Sequence, residues 1–272
     1  MKYAICNETF QDWPFDRAFA FARECGYTGI EIAPNTIALD AKDISPAKRR
    51  EVRQQAEAAG LEVIGLHWLL AKTKGYYLTS PDAAVRGTTA HYLGELARLC
   101  RDLGGWVMVF GSPLQRNLLP GVTHDQAMGY AAEVFRAAMP TLAEYGVTLA
   151  VEPLAPAEGN FLNTAADGVR LVRMVDHPHC RLHLDCKAMS SESQPIPDII
   201  RANRADLVHF HANDANRQGP GFGKLDFVPI FAALREIGYD GWVSVEVFDY
   251  TPGIERLAKE SIDYMRRCDP PA

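Results

Sequence analysis

The segment RECGYTG at residues 23–29 returns near the far end of the chain as REIGYDG at residues 235–241. Each copy reads as the end of a helix, a glycine that turns the chain, and the start of a strand. Glycine is the least costly residue in the left-handed conformation that closes a helix. The same junction is expected at Gly60, Gly104 and Gly146, each just before a β-rich run. Such runs occur at Tyr3–Cys6, Gly29–Ala33, Glu62–His67, Trp106–Gly111, Thr148–Pro153, Arg181–Cys186, Leu207–Ala212 and Trp242–Phe248. Between them lie stretches of helical period. After Ser80-Pro81, read as N-cap and first helical residue, apolar residues fall at Val85, Tyr92, Leu93, Leu96, Leu99, Cys100 and Leu103. After Thr251-Pro252 they fall at Ile254, Leu257, Ala258, Ile262 and Met265.

Strands alternating with helices argue a parallel sheet, and eight units favour its closure. Eight units of 34 residues account for the 272 of the chain. The expected fold is therefore α/β, a single (β/α)₈ TIM barrel spanning residues 1–272 as one domain. No GxGxxG or Walker A pattern opens a helix after a strand, which counts against a Rossmann alternative.

Apolar residues make up 47% and charged residues 23%, as in an ordinary globular chain. The net charge of −6 gives no electrostatic footprint for nucleic acid. The N-terminal MKYAICNETFQDWPF lacks the apolar core of a signal peptide, and the longest apolar run, near Val63–Ala71, is too short to span a bilayer. Six scattered cysteines form no CxxC pair. A cytoplasmic protein with reduced thiols, no nucleic-acid partner and no membrane partner is expected.

Barrels of this kind build their sites at the C-terminal ends of the strands. LAVEPL leads to Glu152, RLHLDCK to Asp185, LVHFHAND to His211 and VSVEVFD to Glu246. Four consecutive strands thus each deliver one metal-capable side chain to the same rim. Alternation turns His209 with His211, and His183 with Asp185, to the same side of their strands. Three carboxylates gathered in a partly dry site call for a cation. With one imidazole they form a hard, oxygen-rich set suited to one divalent ion: Mn²⁺ first, with Mg²⁺ or Co²⁺ as alternatives.

At these residues the sequence resembles the sugar phosphate isomerase/epimerase family of xylose isomerase-like barrels, and within it the D-tagatose and D-psicose 3-epimerase group. The sharpest stretch is HFHANDANRQGPGFG at 209–223, supported by LAVEP, HLDCK, SPDAAVR and GYDG…VEVF. The resemblance implies Glu152, Asp185, His211 and Glu246 as ligands of one ion. On such a site Glu152 and Glu246, on opposite walls, are expected to serve as base and acid of a sugar isomerase or epimerase working through an enediolate on a ketose or related keto-sugar. Arg217 and Glu158 would hold substrate hydroxyls or a carbonyl. Barrels of this family are often homodimers or homotetramers.

One departure is Ala188, where the epimerases carry a substrate-binding histidine; Lys187 stands beside it, able to pair with a carboxylate or phosphate. That departure raises the alternative of a metal-dependent lyase or decarboxylase on an oxidised sugar or sugar acid. His67, with Trp68 and Lys72, is expected to shape the pocket, and the loop at 219–224 either cradles a phosphate or forms the pocket rim. An endonuclease IV-like phosphodiesterase would need more histidine ligands and a basic surface. A non-catalytic sugar-binding barrel would not need the complete ligand set.

Overall fold

A computed structural model of the protein describes residues 1–269, so the last three residues of the expected 1–272 domain lie outside the described part. Eight parallel strands close into a barrel in sequence order: β1 (Lys2–Cys6), β2 (Gly29–Ile32), β3 (Glu62–Leu66), β4 (Val107–Phe110), β5 (Thr148–Val151), β6 (Cys180–Asp185), β7 (Leu207–Ala212) and β8 (Trp242–Val245). β1 and β8 complete the ring, with Lys2 opposite Trp242 and Ile5 opposite Val245. Helices α1 (Phe15–Cys25), α2 (Pro46–Ala59), α3 (Ala83–Leu103), α4 (His124–Glu144) and α5 (Ala165–Val175) alternate with the first six strands. The later units carry α6 (Cys186–Met189) and α7 (Ile196–Ala202), then α8 (Phe227–Glu236), and α9 (Ile254–Cys268) follows β8. No described helix is long and apolar enough to cross a membrane.

The repeated junction behaves as its glycine demands. Gly26 has φ of 105° and Gly238 has φ of 73°, both in the left-handed region. The start of α3 differs from expectation: its N-cap is Asp82, whose carboxylate accepts from the Ala84 amide at 2.8 Å. Ser80 sits in the preceding turn, where its hydroxyl accepts from the Asp82 amide at 3.2 Å. The acidic side chain directly before the helix thus takes the cap. β8 also stops earlier than the expected Phe248, because the Phe248 and Asp249 amides turn to the Arg217 carbonyl at 2.8 and 2.9 Å.

Alternation along the strands sorts their side chains into two shells. Ile5, Met108, Phe110, Leu149, Val151, Val243 and Val245 join the large core beneath the helices. Their neighbours Ala4 and Trp242 pack with Ile64, while Val107, Val109 and Ala150 form another cluster, inside the ring. Continuing that inward parity past the apolar floor leads to Cys6, Gly111, Glu152, Ser244 and Glu246. The inner apolar layers thus fix which residues face the rim.

All six cysteines are free and buried. Burial pushes the thiol of Cys6 up to about 11 and that of Cys180 up to about 12.

Gly65 on β3 lies opposite Val107 on β4, and a Cβ there would come within 2.1 Å of the Val107 carbonyl oxygen. Backbone cannot yield as a side chain can. Gly65→Ala is therefore expected to destabilise the barrel by about 1–3 kcal/mol, read as a lower urea midpoint with an unchanged slope.

Candidate active site

The four strand-end residues converge. One ligand atom from each of Glu152, Asp185, His211 and Glu246 lies within 4.8 Å of the others, and all four side chains are buried. Each is positioned by a specific local device. Asp185 is the N-cap of α6, with Oδ1 accepting from the Ala188 amide at 2.7 Å and Oδ2 from Asn213 Nδ2 at 2.6 Å. Asn213 in turn accepts from the Lys187 amide at 2.8 Å, which ties the ends of β6 and β7 together. Glu246 accepts from Trp68 Nε1 at 2.8 Å and lies 3.1 Å from His211 Nδ1. Glu152 continues the β4–β5 ladder, its amide donating to the Phe110 carbonyl at 3.2 Å. Its carboxylate has room because residue 111 is glycine: a Cβ there would sit 2.2 Å from Oε2.

His211 is held from behind by an acid. Its Nε2 lies 3.2 Å from both oxygens of Glu31, a fully buried β2 residue that also bonds His209 Nε2 at 2.9 Å. Histidine ligands commonly offer one ring nitrogen to a metal and the other to such a carboxylate. Burial works against a charged His211, yet Glu31 and Glu246 carry its pKa well above the ordinary value. Burial likewise raises Glu31 on its own, but His211 and His209 outweigh it and hold the acid well below the usual carboxylate range.

The other acids show what the cluster lacks. Burial raises Glu152 well above its ordinary value, and the charges of Glu246 and Asp185 push the same way. Asp185 is raised by burial, with Lys187 opposing and Glu246 adding to the shift. For Glu246, burial is overcome by His211 and its hydrogen bond, with His67 and Lys187 behind, and the pKa falls. Crowded carboxylates that resist joint ionisation, beside an oriented imidazole, are the donor chemistry of a divalent cation site. The residues fit such an ion.

A cavity of about 360 Å³ opens over this cluster, faced by Glu152, Glu246, Glu158, Arg217, Trp68 and Phe248. That size is within the range of small-molecule pockets, roughly 300–1,000 Å³. Lys187 is buried, its ammonium 2.6 Å from Glu158 and 4.5 Å from the centre of the Phe248 ring. The two residues expected as separate substrate contacts therefore form one ion pair. Arg217 reaches the cavity from a backbone with φ of 72°. His67 lies one layer back, 2.5 Å from Glu8 Oε2 and 4.0 Å from Glu31 Oε1. The 219–224 loop has spent its last amides internally: those of Gly223 and Lys224 donate to Asp214, each at 3.1 Å. This favours the rim over the phosphate cradle.

Several contributors escape a reading of strand ends. Glu31 stands in GIEI, where an acid among apolar strand residues was the available signal. Glu8 and Asn213 carried none. Arg116, also fully buried, donates to the Glu152 carbonyl at 2.6 Å and the Leu162 carbonyl at 3.1 Å. Burial lowers its pKa to about 10, against the pull of Glu152 and Glu158.

A closed barrel with this rim constellation corresponds to the family described as xylose isomerase-like TIM barrel, which matches residues 19–268, and the chain belongs to it. It is 31% identical over 238 residues to D-psicose 3-epimerase of Agrobacterium fabrum, covering 84% of this chain and 77% of that one. It is 28% identical over 277 residues to 3-dehydro-D-guloside 4-epimerase of Escherichia coli, covering 98% and 100%. The solved structure of D-psicose 3-epimerase with D-tagatose from Clostridium cellulolyticum H10 has the same fold, with a TM-score of 0.87 at 22% identity over 98% and 99% of the two chains. With sugar epimerases as relatives, the chain is an enzyme of the epimerase and isomerase kind.

The raised Glu152 gives a pH signature. A folded-state pKa above the unfolded value contributes stability that is present below about 4.5 and lost as pH rises through the raised value. In metal-stripped protein, the urea midpoint of Glu152→Gln is expected to gain on wild type as pH rises from about 4.5 to neutrality. A constant gap between the two proteins over that range would refute the assignment.

Proposed function

We propose that the protein is a divalent-metal-dependent sugar epimerase or isomerase acting on a ketose or related keto-sugar. The observation that carries this reading is the meeting of Glu152, Asp185, His211 and Glu246 within 4.8 Å beneath a sugar-sized cavity. These four residues would hold one ion, Mn²⁺ being the first choice and Mg²⁺ or Co²⁺ the alternatives. Bound there, the ion would supply Lewis-acid stabilisation of negative charge on substrate oxygens.

The chain's own groups account for the proton transfers. One of the two glutamates takes the proton from the carbon beside the carbonyl, leaving the substrate as an enediolate. The other returns a proton to that carbon from the opposite face and inverts it; return to the neighbouring carbon would interconvert aldose and ketose. In the reverse direction the roles exchange. Trp68 and His211 fix the carboxylate of Glu246 by hydrogen bonds. Arg116 fixes the backbone at Glu152, and its buried charge faces the acids from behind. Arg217 and Glu158 are available to substrate hydroxyls in the same cavity. His67 acts through Glu8 rather than by touching the sugar.

The lyase alternative relied on Lys187 or Arg217 as the anchor of an acid group. The ammonium of Lys187 is committed to Glu158 at 2.6 Å, which takes Lys187 out of that role and leaves Arg217 as the anchor that reading would need. With Ala188 offering no polar group beside it, the substrate end near α6 is recognised by the Lys187–Glu158 pair, a neutral combination suited to hydroxyls.

Two outcomes test the proposal. Glu152→Gln and Glu246→Gln are each expected to slow solvent deuterium incorporation into a bound keto-sugar by about 10²–10⁴-fold; wild-type exchange in both would sink the two-carboxylate scheme. Chelation by EDTA is expected to abolish exchange, and added Mn²⁺ to restore it. Full exchange by protein that metal analysis shows to be empty would end the metal-dependent reading.

A further inference from the structure

A second and larger cavity, of about 760 Å³, lies beside the first and shares two of its walls, Trp68 and Lys72. It is formed over the ends of β1, β2 and β3, and neither Glu152 nor Glu246 lines it. Both shared residues hold left-handed backbone conformations, with φ of 52° at Trp68 and 62° at Lys72. Non-glycine residues are strained there. The partition between the cavities belongs to the loop that follows β3.

The lining of the larger cavity has a definite chemistry. Tyr250 and Trp13, the latter with the Arg17 guanidinium over one face 3.6 Å from the ring centre, supply aromatic surface to the cavity. Glu8 and Asn35 supply acceptors: Glu8 Oε1 and Asn35 Oδ1 are buried and have no hydrogen-bond partner. Glu8 is 5% exposed, and its other oxygen is already held by His67 at 2.5 Å. Unmatched acceptors call for O–H donors. With the acids Glu8 and Asp12 facing the cavity against one cation, Lys72, a phosphate or carboxylate group is unwelcome as the main handle.

Resting on the epimerase reading, we propose that this cavity is a subsite for a second, neutral sugar unit, so that the substrate class is glycosides or disaccharides whose keto-sugar unit sits over Glu152 and Glu246. The second ring packs against Trp13, and its hydroxyls donate to Glu8 and Asn35.

Mn²⁺-loaded full-length protein is offered D-fructose, isomaltulose or lactulose. The two disaccharides hang a second ring from different points of the same ketose, O6 in isomaltulose and O4 in lactulose, and leave its carbonyl and C3 hydroxyl free. Calorimetry is expected to find at least one disaccharide bound about tenfold more tightly than D-fructose, with a matching gain in kcat/KM for deuterium exchange. Trp13→Ala and, as a milder change away from the aromatic cluster, Asn35→Ala are each expected to cut that disaccharide-to-fructose ratio several-fold. Exchange on D-fructose with no disaccharide preference, or a preference untouched in both folded variants, overturns the subsite and leaves the epimerase reading standing. Tighter disaccharide binding that both variants weaken, without exchange on any of the three sugars, supports the subsite and overturns the epimerase reading. No binding and no exchange for any of them overturns both.

Discussion

Glu31 keeps a carboxylate in the middle of the barrel, fully removed from water, because two imidazoles share it. A lone buried carboxylate would be costly enough that it would take up a proton instead of staying charged. Paired with His209 and His211, it becomes the anchor from which the rim is built. His211 passes the constraint upward to Glu246, and Trp68 grips the other oxygen of that acid from the β3 loop. Removing one member of such a buried pair typically costs about 3–5 kcal/mol. The polar axis of the barrel therefore carries structure and site geometry together.

Around that axis the apolar layers do the sorting. The inner clusters of Ala4, Ile64 and Trp242, and of Val107, Val109 and Ala150, set the inward parity of their strands. One step beyond them, the same parity presents Glu152, Glu246 and the space left at Gly111. Register and chemistry are linked in this way: a slip of one residue in β5 would send Glu152 into the helix layer.

The barrel and the meeting of four polar residues at its rim were legible in the sequence because both depend on local order. Glycine junctions, strand spacing and the last polar residue of each strand can all be read without knowing which strands meet. The partnerships were not legible, since they join residues far apart in the chain. Glu31 lies 180 positions from His211, and Trp68 lies 178 from Glu246. Lys187 and Glu158 were each visible as candidates, yet only closure of the ring brings their charges together. The cap of α3 moved from Ser80 to Asp82 for a local reason, since both side chains can accept an amide and the nearer acid wins.

The six buried thiols have a practical consequence. Those of Cys6 and Cys180, at about 11 and about 12, are almost wholly protonated at neutral pH and hidden from reagents. A thiol-directed label therefore reports opening of the fold rather than surface chemistry. Cys6 lies inside the ring near His211, while Cys25 and Cys268 belong to the helix layer. Labelling order among them would reveal whether the outer helices loosen before the ring itself comes apart.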